Sequence, residues 1–215
     1  MIRVLIADDH SLVRAGLKAI LAGRADIQVI GEAADGLEAL ANIQRLTPDV
    51  VMMDISMPGL NGLDTLKTMR DTAPTTQVIV ISMHRNEEYV IRAYPMGAKS
   101  YLFKDAPPEH LFAAVDAAAR GEHYYSPPYT RERLKEYMQR TGAYVPAVDR
   151  LTARERQVLQ LIAEGLTTQQ TALRLNISVK TVEAHRSNLM TKLDLHDIAS
   201  LTRLAIRVGL IDFNA

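Results

Sequence analysis

The chain has 215 residues, 47% hydrophobic and 23% charged, with 25 Lys+Arg against 25 Asp+Glu and no cysteine. That balance fits a soluble globular protein of one large or two ordinary domains and excludes a disulfide framework, a thiolate metal site and a cysteine nucleophile. Apolar runs stay far below the ~20 residues that cross a bilayer, and MIRVLIADD lacks the apolar core and cleavage site of a signal peptide, so a cytoplasmic protein without membrane contact is expected.

The net charge of zero is unevenly spread. Residues 1–122 carry 12 basic and 16 acidic side chains, a net of −4, whereas residues 123–148 and 149–215 are each +2. An acidic front and a mildly basic rear suggest parts with different partners.

In chain order, β-rich runs read at IRVLIA (2–7), IQVIGEA (27–33), DVVMMD (49–54), QVIVIS (77–82) and KSYLF (99–103). Helical spacing separates them: Val13, Leu17, Ile20 and Leu21 share one face, as do Leu111, Ala114, Val115 and Ala118. Asp35-Gly-Leu-Glu38 and Pro107-Pro108 read as helix starts. Strands alternating with helices predict a doubly wound, five-stranded parallel sheet covered on both faces. Ligands of such a sheet bind beyond the carboxyl ends of its strands.

Residues 121–149 break the pattern. GEHYYSPPYT is turn-rich, RERLKEYMQR reads as a short charged helix, and TGAYVPAVD returns to loop, which predicts a linker with a helical middle. From Leu151 the chain is helical. Thr152-Ala-Arg-Glu155 and Thr167-Thr-Gln-Gln170 are capping-box patterns, and Gly165 and Asn176-Ile-Ser178 mark stops and turns. Helices near 179–193 and 197–208 complete an all-α, four-helix unit containing a helix-turn-helix. The predicted domains are therefore 1–121, a linker 122–148, and 149–215.

Polar groups gather at the strand ends. Asp8 and Asp9 follow the first run, Asp54 ends the third, Ser82 ends the fourth, and Lys104 follows the fifth. Each alone has a plain reading, Asp54 as a helix cap and Asp8-Asp9 as helix-dipole partners. Together they describe a site. Converging carboxylates repel unless a hard divalent cation such as Mg2+ sits among them, and a lysine with a hydroxyl suits a phosphoryl group.

VLIADDH, PDVVMMDISMPGLNGL, VIVISMH and GAKSYLFKDA resemble the receiver domain of bacterial two-component response regulators, with its CheY-like (flavodoxin-like) fold. The resemblance implies that Asp54 accepts a phosphoryl group from a phosphohistidine on a sensor histidine kinase. It implies Mg2+ held by Asp8, Asp9, Asp54 and the Ser56 carbonyl. Lys104 would pair with the phosphoryl oxygens, Ser82 would bond one of them, and Tyr101 would be the switch aromatic that follows Ser82. Pro58 and Gly62 would shape the loop after Asp54. One departure is Pro95 in RAYPMGAKS, where the family keeps a helix former; a missing donor there predicts an altered switch face.

In the helix near 179–193, Val182, Leu189 and Leu193 share a face for packing. The opposite side carries Lys180, Ala184, Ser187 and Thr191 with Glu183 at its edge, flanked by Thr181, Asn188, Lys192 and Arg186. Small and polar residues with basic flanks suit a helix in the DNA major groove, the cations taking phosphates; the plain reading is a solvated helix face. LTARERQVLQLIAEGLTTQQTALRLNISVKTVEAHRSNLMTKL is similar to the LuxR-type helix-turn-helix. With a receiver it resembles the NarL/FixJ family. Departures are Gln170-Thr171, where the family has acidic then aliphatic residues, and Glu183 at the groove-facing edge.

The combined reading is a phosphorylation-controlled transcription regulator, not an enzyme in the turnover sense. Its expected partners are the kinase, double-stranded promoter DNA, a second copy of itself when phosphorylated, and RNA polymerase. Two alternatives stay open: a Mg2+-dependent aspartyl-phosphate phosphohydrolase, whose second Asp is here Ser56, and a regulator controlled by a protein partner without phosphorylation.

Overall fold

A computed structural model describes residues 1–83, 87–130, 132–134, 136 and 147–211. They divide into two compact units, Met1–Gly142 and Ala143–Ala215.

The first unit alternates β1 (Ile2–Ala7), α1 (Ser11–Leu21), β2 (Ile27–Ala33), α2 (Gly36–Leu46), β3 (Val50–Asp54), α3 (Gly62–Thr72), β4 (Gln77–Ser82), α4 (Glu87–Met96), β5 (Ala98–Phe103) and α5 (Pro108–Ala119), then a short β6 (Tyr124–Tyr125). The strands lie in the order β2-β1-β3-β4-β5-β6, every neighbouring pair parallel. Side chains alternate faces along a strand, so the two layers can be read from β3. Val51 and Met53 join Ala39 and Ile43 of α2, Leu66 of α3 and Val90 of α4. Val50 and Met52 join Leu21 of α1 and Leu111, Ala114, Val115 and Ala118 of α5. This two-sided burial explains why the strands are nearly continuous in apolar residues. Of the face expected on α1, Leu21 is buried but Ile20 stands 36% exposed.

The sheet has six strands where the sequence predicts five. A two-residue strand carries no alternation to detect, and it forms because the edge of β5 is free to pair: Ser100 sits beside Tyr124 and Tyr101 beside Tyr125. Aromatic contacts hold it there. Tyr94 of α4 stacks on Tyr125 at 5.1 Å and donates its hydroxyl to the Tyr124 carbonyl at 3.0 Å. Further on, Tyr129 is buried with its ring 6.0 Å from that of Phe103.

Pro95 lies within the last turn of α4, which runs on to Met96. Gly97 then turns the chain at φ +114°, its N–H donating to the Tyr94 carbonyl. Of the helix expected over 131–140, Glu132–Leu134 and Glu136 are helical and the other positions lie outside the described residues.

The second unit opens with a 3-10 turn, Ala147–Arg150, followed by α6 (Ala153–Ala163), α7 (Thr168–Leu175), α8 (Val179–Leu193) and α9 (Ile198–Arg207). Both expected capping boxes form, Thr152 with Glu155 and Thr167 with Gln170. Asn176 takes the left-handed conformation between α7 and α8, at φ 52°. Val158, Leu159, Val182, Leu189, Leu193, Leu201 and Ala205 form the core.

Candidate functional site

Because all the strands run parallel, their carboxyl ends meet at one edge. Strand β1 delivers Asp8 and Asp9, β3 ends on Asp54, β4 on Ser82, and Lys104 follows β5. The helix-cap reading of Asp54 does not hold: Asn61 caps α3, accepting from the Asp64 N–H at 2.9 Å. Asp54 is 3% exposed and Asp8 1% exposed.

Lys104 joins the two buried carboxylates. Its Nζ lies 2.9 Å from Asp54 Oδ2 and 2.8 Å from Asp8 Oδ2. Asp54 Oδ1 accepts the Ile55 N–H at 2.8 Å, and Asp8 Oδ1 accepts the His10 N–H at 2.9 Å. Burial pushes the Asp54 carboxyl up to about 6; the Lys104 ammonium pulls against this and the Asp8 carboxylate adds to it. For Lys104 burial disfavours the charge, yet Asp54 and Asp8 outweigh it and hold the ammonium above its ordinary value.

One ligand atom each from Asp8, Asp9, His10 and Asp54 lies within 4.8 Å of the others. Three carboxylates facing one lysine leave an excess of negative charge, and oxygen donors at this spacing fit a hard divalent cation. Ser56, whose carbonyl the resemblance implicates, follows Asp54 by two residues and is 8% exposed.

Gly62 explains the loop that leaves Asp54. A Cβ there would meet the Asp54 carbonyl oxygen at 2.0 Å, and the Gly62 N–H donates to the Ile55 carbonyl at 2.8 Å. Only glycine lets the start of α3 approach the end of β3 this closely. Pro58 contributes a tight turn, its carbonyl accepting the Leu60 N–H at 2.9 Å.

Ser82 and Tyr101, both fully buried, share a side-chain hydrogen bond. Ser82 is thus brought to the aromatic, while Lys104 is brought to Asp54. Burial drives the Tyr101 hydroxyl far above its ordinary value, so it is neutral. The rings of Tyr101 and Phe103 meet edge to face at 5.9 Å.

In the second unit, α8 presents Lys180, Thr181, Glu183, Ala184, Ser187, Asn188, Thr191 and Lys192 to solvent, with Arg186 half-buried. Val182, Leu189 and Leu193 face the core as expected. Ser178 caps the helix through the Thr181 N–H at 3.1 Å, and its hydroxyl also bonds that of Thr181 at 2.7 Å. Lys192 is engaged: its Nζ lies 2.9 and 2.7 Å from the two carboxylate oxygens of Glu155. Burial would raise the Glu155 carboxyl, but Lys192 and the Thr152 N–H outweigh it and hold it below the usual range.

Two residues at these sites escaped the sequence reasoning. His10 directly follows the acidic pair, a position that could have flagged it. Arg14 donates to the Asp8 carbonyl at 2.6 Å, one helical turn into α1 and without a distinctive signal. The Lys192–Glu155 pair spans 37 positions, beyond any local pattern.

Comparison with known proteins adds to the geometry. Residues 4–116 match the response regulator receiver domain family, and residues 149–205 match the luxR family of bacterial regulatory proteins. The chain is similar to the oxygen regulatory protein NreC of Staphylococcus carnosus, 38% identical over 98% of this chain and 100% of that one. Among solved structures it is similar to the response regulator ChrA of a heme-sensing two-component system, with 33% identity, 98% of each chain covered and a TM-score of 0.52. It is also similar to RcsB of Salmonella enterica serovar Typhimurium bound to promoter rprA in the presence of phosphomimetic BeF3-, with 28% identity, 94% and 97% coverage and a TM-score of 0.61.

Proposed function

The chain belongs to the NarL/FixJ family of two-component response regulators, and from that premise we propose that Asp54 is its phosphoacceptor. It is a DNA-binding transcription regulator of a two-component system. The observation that carries the finer reading is the Lys104 ammonium seated between Asp54 and Asp8.

The ionised Asp54 carboxylate attacks phosphorus, the phosphorus–nitrogen bond of the donor phosphohistidine breaks, and the electron pair leaves with the imidazole. The Ile55 N–H, already bonded to Oδ1, fixes the direction of attack by the other oxygen. Lys104 exchanges Asp54 Oδ2 for a phosphoryl oxygen and offsets its charge. Ser82 leaves Tyr101 to donate to a second phosphoryl oxygen, so the Tyr101 ring loses a partner when the group arrives. Asp8, Asp9, Asp54 and the Ser56 carbonyl are the ligands for Mg2+, which supplies positive charge to a pocket rich in carboxylates. Asp54→Asn keeps the shape but removes the nucleophile. It is expected to take no label from radioactive acetyl phosphate under conditions that label the parent; equal labelling would overturn the site.

The same reading assigns residues 1–121 to the receiver, 122–148 to a linker and 149–215 to the DNA-binding domain. Phosphorylation shifts an equilibrium towards a homodimer able to engage two half-sites. Lys180, Thr181, Glu183, Ala184, Arg186, Ser187, Asn188, Thr191 and Lys192 form the DNA face of α8. The solvent exposure of that face and the likeness to RcsB on promoter DNA support it. A sensor histidine kinase supplies the phosphoryl group, RNA polymerase is the downstream partner, and the setting is the cytoplasm. Among the described residues no helix is long and apolar enough to cross a membrane.

A further inference from the structure

Residues 124–130 fall in the linker read from the sequence, yet the structure ties them down like core. Strand β6 pairs with β5, Ser100 beside Tyr124 and Tyr101 beside Tyr125. The Tyr94 hydroxyl bridges the two strands, sharing a hydrogen bond with the Tyr101 backbone and donating to the Tyr124 carbonyl at 3.0 Å. The rings of Tyr94 and His123 lie against that of Tyr125, at 5.1 and 6.0 Å, and His110 Nδ1 bonds the Tyr124 hydroxyl. Beyond β6 the chain turns, the Tyr129 N–H donating to the Ser126 carbonyl at 3.0 Å. This turn places Tyr129, 5% exposed, in the cluster that holds Tyr89, Tyr101, Phe103 and Leu134.

Tyr101 is the residue this segment meets. Its hydroxyl bonds Ser82 and stands close to Tyr89 and Tyr129. Its ring is edge-on to Phe103, which in turn lies 6.0 Å from the Tyr129 ring. When Ser82 turns to a phosphoryl oxygen, the Tyr101 hydroxyl loses that bond inside a buried cluster, a costly change for a polar group. The ring regains a partner by moving towards water, and Tyr129 stands against that movement. We propose that residues 124–130 are a strap seated over Tyr101, and that seating of the strap and phosphorylation of Asp54 oppose each other, so that phosphorylation loosens the strap. The inference rests on the reading of Asp54 as phosphoacceptor and Ser82 as a partner of the phosphoryl group. Opposition of this kind is reciprocal: whatever phosphoryl binding does to the strap, a loosened strap does in equal measure to phosphoryl binding. Because the strap opens the linker, it carries the state of the pocket into the segment that leads to the DNA-binding domain.

The test uses the full-length chain with Mg2+ and beryllium fluoride, a phosphoryl analogue that binds reversibly. Hydrogen–deuterium exchange read by mass spectrometry is expected to quicken about fivefold or more in peptides spanning 124–130 when the analogue binds, the worth of one net hydrogen bond. Tyr129→Ala removes the cover from Tyr101. By reciprocity it is expected to bind the analogue about fivefold more tightly in calorimetry, whereas a residue that merely supports the fold would leave binding equal or weaker. Tyr94→Phe keeps the ring and deletes the bridging hydroxyl, so it should show the same two effects, and it decides the matter if Tyr129→Ala loses its circular dichroism. Unchanged exchange at 124–130 on analogue binding, or no gain in affinity in the folded variant, overturns the proposal. Acetyl phosphate labelling separates this failure from failure of the site. Label on Asp54 with an unmoved strap removes the strap alone, whereas a parent that takes neither label nor analogue removes the phosphoryl site and the strap with it.

Discussion

Two buried carboxylates, each within 3 Å of one ammonium, set one another's charge, and the balance is unfavourable to Asp54. An acid whose pKa is higher folded than unfolded binds its proton more tightly when folded, so its contribution to stability falls as pH rises through the interval between the two values. For Asp54 that interval runs from 3.8 to about 6. In chelator, urea denaturation of the parent and Asp54→Asn should therefore diverge by about 2 kcal/mol in favour of the variant between pH 4 and pH 7; a constant difference would show that burial does not strain this group. Gly62→Ala tests the loop. With a Cβ directed at the Asp54 carbonyl, the end of β3 must move, at a cost of about 2–3 kcal/mol and with loss of acetyl phosphate labelling. Normal labelling by a variant as stable as the parent would refute the account. At this scale the identity of Asp8, Asp9, Asp54, Ser82 and Lys104 was legible, since strand direction alone brings their backbones together. Their pairings were not. That Ser82 bonds Tyr101 while Lys104 bridges two carboxylates depends on rotamers, and rotamers answer to packing from all sides.

Elements were legible where a local signal decides them. The capping boxes at Thr152 and Thr167, the Asp35 cap and the left-handed Asn176 are fixed by residues within four positions, whereas the Asn61 cap was missed in favour of Asp54. Strand β6 was not legible, because its existence depends on an unfilled edge of β5 and on Tyr94 reaching across from α4. Thr171 lies between these cases. Its departure from an aliphatic pattern was visible, but the consequence needed the fold: the residue is fully buried, and its hydroxyl oxygen has no hydrogen-bond partner. A buried hydroxyl without a partner costs about 1–3 kcal/mol. Thr171→Val keeps the shape and removes the polar atom, so it should raise the stability of the helical unit by about 1–2 kcal/mol in urea denaturation. A loss of that size would mean that the hydroxyl has a partner in solution.

Across the whole chain, charge is arranged by partner. Residues 1–122 are net −4 and residues 149–215 net +2, a small surplus for a protein that must hold a polyanion. Nucleic-acid affinity of this kind depends on the few cations that displace counterions from phosphates, so not every lysine on α8 counts equally. Lys180 is exposed at the start of the helix, while Lys192 is already neutralised by both oxygens of Glu155. Binding to a double-stranded fragment should therefore respond differently to the two alanine substitutions. Lys180→Ala should reduce the slope of log affinity against log salt by about one per bound chain, the effect of losing one phosphate contact. Lys192→Ala should leave the slope nearly unchanged and instead weaken the junction of α6 and α8, since Glu155 then stays nearly buried without its counter-charge. That burden falls at neutral pH and eases as acid protonates the carboxyl, whose pKa rises once Lys192 is gone. Equal slope changes in the two variants would show that Lys192, though on the DNA face, gives up Glu155 for a phosphate, and would break this division of labour.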